Sequence, residues 1–275
     1  MSLRPLFAPA PRSRPPSLAT RSIPSAIRRT CKSTSNSSFS IMQQTKASTS
    51  AAQHDHQLRS KPRVPLRIMP LGGSITHGVG SSDGNGYRKA LYDMLQSHGH
   101  VTRMVGSRKS GTMANNDHEG WRGFRIDQIE NKARGSVTAC LPNVFTVNAG
   151  SNDCIQNLEI ENFGRRLGNL LEYLWLASPG STIILSTLLV SQDKSVDSRI
   201  RFVNEQIRSL AASKAAKGER ITLIDMCTAE GPCVGDLVDG VHPNDLGYRK
   251  MASFWFKGIR GAVLKGLLEE PRTCE

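Results

Sequence analysis

Long apolar runs are missing from this chain. Stretches such as Ile183-Ile184-Leu185 and Thr146 to Gly150 are strand-sized, well short of the roughly 18 residues a membrane span requires. Acidic residues are nearly absent from the first 63 positions, which hold 11 Lys/Arg against Asp55 alone. The net charge of +13 is therefore uneven: +10 falls in residues 1–63 and only +3 in residues 64–275. A body so close to neutrality has no broad basic face by default, which argues against a nucleic-acid partner. No Cys-x-x-Cys pair occurs among the six cysteines, so zinc and thioredoxin-like chemistry have little support. Gly72-Gly73-Ser74 lacks the Gly-Lys-Ser/Thr ending of a phosphate loop. Asp83-Gly84-Asn85-Gly86 lacks the glutamate and later ligands of a calcium loop. Neither a metal nor an organic cofactor is expected.

Residues 1–63 are rich in Ser, Thr, Pro and Arg and poor in large apolar side chains. Such a segment buries too little surface to offset its ordering entropy, so a disordered extension is expected. Its composition also fits a mitochondrial transit peptide or a stretch upstream of a later start at Met42, and no apolar secretory core is present. Two cysteine pairs lie close in sequence, Cys227 with Cys233 and Cys140 with Cys154. Disulfides and plain small thiols are both open readings.

From residue 64 the pattern alternates between strand and helix. Strands are expected at Arg63 to Leu71, Val101 to Val105, Asn143 to Asn148, Thr182 to Leu188 and Ile221 to Ile224. Helices are expected at Gly86 to His98, Phe124 to Ile129, Ile160 to Leu176, Asp197 to Ala216 and Asn244 to Leu268. Phe163, Leu167, Leu170, Leu171 and Leu174 form one helical stripe. Five strands separated by helices imply an α/β domain with a parallel sheet covered on both faces. Sites in such sheets lie beyond the carboxyl ends of the strands.

Several polar residues fall at those ends. Ser74 follows the first strand, Gly123 lies after the second, Asn152 follows the third, and Asp239 and His242 follow the fifth. Each alone reads as a turn or cap residue; together and in this order they read as a site. A serine hydroxyl needs a neighbouring base to become nucleophilic, and histidine suits that work near neutral pH. A carboxylate on the second ring nitrogen fixes the tautomer and stabilises the imidazolium. Asp239 and His242, three apart on one loop, supply both. The tetrahedral oxyanion requires fixed donors, for which the backbone N–H groups of Ser74 and Gly123 and the Asn152 amide are suited. Arg88 and Trp121 are expected near the cleft as substrate contacts or as packing.

The block Arg67-Ile68-Met69-Pro70-Leu71-Gly72-Gly73-Ser74-Ile75-Thr76 and the block Asp239-Gly240-Val241-His242-Pro243-Asn244 resemble the SGNH/GDSL hydrolase superfamily. Gly86-Tyr87-Arg88 and His118-Glu119-Gly120 point within it to the acetyl xylan esterase-like group, carbohydrate esterase family three. The resemblance implies a flavodoxin-like three-layer αβα sandwich and metal-free ester hydrolysis through an acyl-serine, with acetylated carbohydrates as substrates. A lysophospholipase- or thioesterase-like acyl hydrolase is the neighbouring alternative. The family's Gly-Asp-Ser reads Gly72-Gly73-Ser74 here, so the supporting carboxylate is missing. That departure keeps a binding protein without activity as a third reading.

Overall fold

The structure, a computed structural model, describes residues 63–272. The extension expected over residues 1–63 lies, apart from Arg63, outside the described residues.

The central sheet is built on β1 (Leu66–Gly72), a Leu/Ile/Met run buried on both faces except at Arg67. One edge of β1 pairs in parallel with β5 (Val144–Asn148), followed outward by β6 (Thr182–Ser186) and β7 (Ile221–Ile224). The other edge is shared. β2 (Thr102–Met104) pairs with Leu66 to Ile68, and β4 (Asp117–Gly120) pairs with Leu71 and Gly72. The short β3 (Arg108–Lys109) runs antiparallel to β4. Pro70 sits at the handover from β2 to β4. The alternation of bonds along β1 turns its nitrogen to that edge, as for Leu66, whose N–H donates to the Val101 carbonyl. A missing N–H in a central strand is tolerated where no partner faces it.

The five expected parallel strands are all present; β3 and β4 were not foreseen. Arg108–Lys109 and Asp117–Gly120 carry no apolar alternation, because the buried side chains of β4 are His118 and Glu119. Their burial is satisfied by polar partners rather than signalled by hydrophobicity.

Five long helices cover the sheet. On one face α2 (Tyr87–Ser97) packs against α7 (Asp245–Leu264), with Leu91, Leu95, Met251 and Trp255 in the core between them and the sheet. On the other face lie α3 (Ile126–Cys140), α5 (Phe163–Ala177) and α6 (Lys194–Ala216), whose Ile129, Val137, Leu167, Leu174, Val203 and Ile207 are buried. The result is the expected three-layer αβα sandwich. The remaining helices, α1 (Ser74–His77) and α4 (Ser151–Gln156), are short and directly follow β1 and β5. The α3 helix runs well past the expected stop at Ile129: Ile126, Ile129, Ala133 and Val137 continue its buried stripe through a charged and Gly-containing segment. Asn244 caps α7, accepting from the Gly247 N–H at 3.0 Å. Cys140, Cys154, Cys227 and Cys233 are unpaired thiols; burial pushes Cys154 up to about 12. Among the described residues no helix is long and apolar enough to cross a membrane.

The junction of β1 with the following loop admits no side chain. A Cβ on Gly72 would lie 2.1 Å from the Asn148 carbonyl oxygen of β5 and 2.5 Å from Thr76 Oγ1. Gly72→Ala must push two sheet strands apart, and a loss of at least about 2 kcal/mol is expected. A urea midpoint equal to that of the parent chain would contradict this packing.

Candidate active site

Ser74 stands where β1 stops. Gly73, with φ −94° and ψ −146°, ends the strand and caps the one-turn α1, so that Ser74 is its first residue. The backbone N–H of Ser74 therefore has no intrahelical acceptor, and it has no other partner among the described residues. The turn closes through Gly78 at φ +100°, where a Cβ would strike the Gly84 carbonyl at 2.4 Å.

His242 comes from the loop between β7 and α7. The Asp239 carboxylate shapes this loop: its Oδ1 accepts from the backbone N–H of His242 at 2.8 Å and of Val241 at 3.1 Å. Its Oδ2 accepts from His242 Nδ1 at 2.7 Å. One carboxylate thus folds the turn and orients the ring. Burial pushes the Asp239 carboxyl upward but is outweighed by the bonds from the His242 N–H, its ring and the Val241 N–H. It is held below the usual carboxylate range and stays ionised at neutral pH. The other ring nitrogen, Nε2, is 2.7 Å from Ser74 Oγ, 168 positions away in sequence. With Nδ1 protonated, Nε2 is the acceptor for the serine hydroxyl. The ring is 18% exposed and the carboxylate 52%, so the Asp–His pair lies at the rim and the serine contact faces inward.

Asn152 stands against the nucleophile loop on the other side, and Gly123 immediately precedes Phe124, which shares a hollow with Ser74. Asn152, in the first turn of α4, donates one amide N–H to the Phe124 carbonyl at 3.0 Å. That bond fixes the amide plane and leaves the second N–H available. A Cβ on Gly73 would sit 3.4 Å from Asn152 Nδ2, which places the amide against the nucleophile loop. Gly123 adopts φ +79° with open space around its missing Cβ; backbone conformation rather than crowding favours glycine here. Its N–H has no partner among the described residues. Ser74, Asn152, Phe124, Asn148 and Gly150 line one small hollow, with room for a water-sized group. Gly123 borders it through Phe124.

Arg88 is elsewhere. It is fully buried, and its guanidinium donates to the carbonyls of His77, Gly84, Ser110 and Asn116 at 3.0–3.1 Å and to Ser110 Oγ at 2.8 Å. The expectation of a substrate contact is corrected: Arg88 cross-links the loops beneath α1. Trp121 does stand beside the site. Its backbone N–H donates to the Gly72 carbonyl at 2.9 Å, and its ring centre lies 5.7 Å from that of Phe124.

Other supporting residues were not legible in the sequence. Glu119, fully buried, accepts from Ser107 N–H at 2.5 Å and from Trp121 Nε1 at 2.8 Å, and so sets the indole plane. Buried Asp153, next to Asn152, accepts from the Ile126 N–H at 3.2 Å and pairs with Arg166 at 2.7 Å, tying α4 to α3 and α5. His118 Nδ1 accepts from the Gly120 N–H at 2.9 Å, which places the proton on Nε2, 2.7 Å from Ser110 Oγ. Ser110 in turn donates to the His77 carbonyl at 2.6 Å, one turn below Ser74.

Burial, with the nearby charges of Arg88, His77 and Arg108, pushes His118 down to about 2. Burial, with Arg63 next, pushes His100 down to about 4. Unfolded, both rings take up a proton near pH 6.5. Between that value and the folded ones the unfolded chain binds more protons, so stability falls as pH falls. From about pH 7 to about pH 5 the unfolding free energy should drop by about 2 kcal/mol per ring. Equal urea midpoints at the two pH values would refute this.

The GDSL-like lipase/acylhydrolase family matches residues 71–250, and the chain belongs to that family. It is similar to a multidomain esterase of Ruminococcus flavefaciens, 28% identical over 238 residues, a match covering 74% of this chain and 30% of that protein. The chain thus spans less than a third of that relative's length. It also resembles the solved family 3 carbohydrate esterase of Clostridium thermocellum, with a TM-score of 0.66 and 27% identity over 74% of this chain and 100% of the other. A family 3 carbohydrate esterase from Talaromyces cellulolyticus shares the fold, with a TM-score of 0.63 and 22% identity, covering 73% and 99% of the two chains.

Proposed function

We propose that this protein hydrolyses carboxylic esters through an acyl-serine, with Ser74 as nucleophile, His242 as general base and acid, and Asp239 as the group that orients it. The observation that carries this reading is the unbroken line from Asp239 Oδ2 through His242 to Ser74 Oγ, 2.7 Å at each contact. Ser74 Oγ attacks the ester carbonyl while its proton passes to His242 Nε2. The oxyanion is received by the N–H groups of Ser74 and Gly123 and the free N–H of Asn152. His242 then protonates the departing alcohol oxygen. Water, deprotonated by the same ring, releases the acid and restores Ser74.

Acetyl is the acyl group the hollow fits best, since little beyond a methyl can follow the carbonyl carbon into it. Acetylated carbohydrates are the proposed class, in keeping with the likeness to the Clostridium carbohydrate esterase. A second, equally small hollow, lined by Ile75, Leu189, Val190, Val196 and Val241, is the apolar surface that the longer-acyl alternative would need to open. Comparing p-nitrophenyl acetate, butyrate and octanoate on the full chain separates the two. The acetyl reading expects kcat/KM to fall by at least about tenfold from acetate to octanoate; a rise along the series would replace it with the lipid-type reading.

A further inference from the structure

Positive charge gathers around Trp121, whose backbone N–H is bonded to the Gly72 carbonyl two positions before Ser74. Arg108 Cζ stands 4.6 Å from the centre of the Trp121 ring, and Lys132 Nζ lies 5.3 Å from the same ring and 6.0 Å from that of Phe124. Arg122, between Trp121 and Gly123, is exposed, and its charge reaches His77 in the turn that carries Ser74. None of these three exposed cations forms an ion pair with a described acid. Neighbouring cations do: Lys109 faces Asp117 at 3.7 Å, and Arg134 pairs with Glu130. Glu119 is buried beneath the indole, where it accepts from Ser107 and Trp121, and one carboxylate offsets only part of the charge of three cations. The surplus of positive charge around Trp121 is self-repelling, and an incoming anion relieves that repulsion.

We propose that Arg108, Arg122 and Lys132 form a subsite for a carboxylate on the alcohol part of the ester, so that the preferred substrate is an ester of an acidic sugar or a similar anionic alcohol. The inference rests on the esterase reading above. A guanidinium fork on a rigid aromatic platform suits a planar carboxylate, which it can bind through two parallel N–H bonds. Trp121, its indole held by Glu119 and its backbone by the Gly72 carbonyl, supplies that platform beside the nucleophile loop.

The test uses a matched pair of aryl acetates, 4-acetoxybenzoate and its neutral methyl ester, with the full chain. The quantity read is the ratio of kcat/KM, anionic over neutral. In the triple variant Arg108→Gln/Arg122→Gln/Lys132→Gln the ratio should fall by about tenfold, and raising salt from about 0.05 M to about 0.5 M should lower it in the parent only. The single variants Arg108→Gln and Arg122→Gln should each take a part of that fall, whereas Lys109→Gln, whose charge already faces Asp117, should not. An unchanged ratio in the triple variant, with Ser74-dependent hydrolysis of the neutral ester intact, would overturn the subsite and leave the esterase reading standing. Absence of Ser74-dependent hydrolysis of both esters would remove both.

Discussion

Ser74→Ala in the full chain is expected to lower kcat on p-nitrophenyl acetate by about 10⁴-fold or more, with the melting temperature unchanged. The hydroxyl is the only atom lost, and its recorded side-chain partner is the His242 ring. Removing it leaves the sheet, the α1 turn and the Asp239–His242 pair in place. His242→Ala should be about as damaging, because serine without a base is a weak nucleophile at neutral pH. The two effects should not multiply. Groups that act as one unit lose their function once, so the double variant should match either single variant within a few-fold. Rates that survive within tenfold in either single variant, or losses that compound in the double, would place the chemistry elsewhere.

The next largest effect is expected at Asn152. Asn152→Ala should reduce kcat by about 10²–10³ with little change in KM, since its free N–H meets charge only in the transition state. Truncation also leaves the Phe124 carbonyl without its 3.0 Å partner, which could loosen the loop that carries Gly123. Asn152→Asp loses both bonds at once, because the nitrogen that donates to Phe124 is also the oxyanion donor, so an unchanged melting temperature of Asn152→Ala is what separates the two causes. The aspartate keeps the shape, removes the donor and opposes the oxyanion, so it should be at least as slow as the alanine variant. An aspartate variant with parental kcat would exclude Asn152 from oxyanion stabilisation.

Much of this architecture was legible from residue order. The runs Val144–Asn148 and Thr182–Ser186 are apolar or β-branched up to their last residues, as suits strands buried on both faces. A spacing of three from Asp239 to His242 suffices for one carboxylate to fold the turn and hold the ring, as it does. What escaped is polar burial. Arg88 reads as a surface or cleft residue because charge ordinarily lies outside, yet its acceptors come from loops four to 28 positions away. β4 escaped for the same reason, its inward residues being His118 and Glu119. Periodicity reports apolar burial alone, and the network that satisfies a buried charge exists only once distant loops have met.

The central claim, that Ser74 is made nucleophilic by His242, is tested most directly by labelling the full chain with a fluorophosphonate and mapping the adduct by peptide mass spectrometry. The account expects a single adduct on Ser74, formed quickly in the parent chain and suppressed in His242→Ala. Modification of another residue, or equal labelling of the parent and the His242→Ala variant, would contradict it.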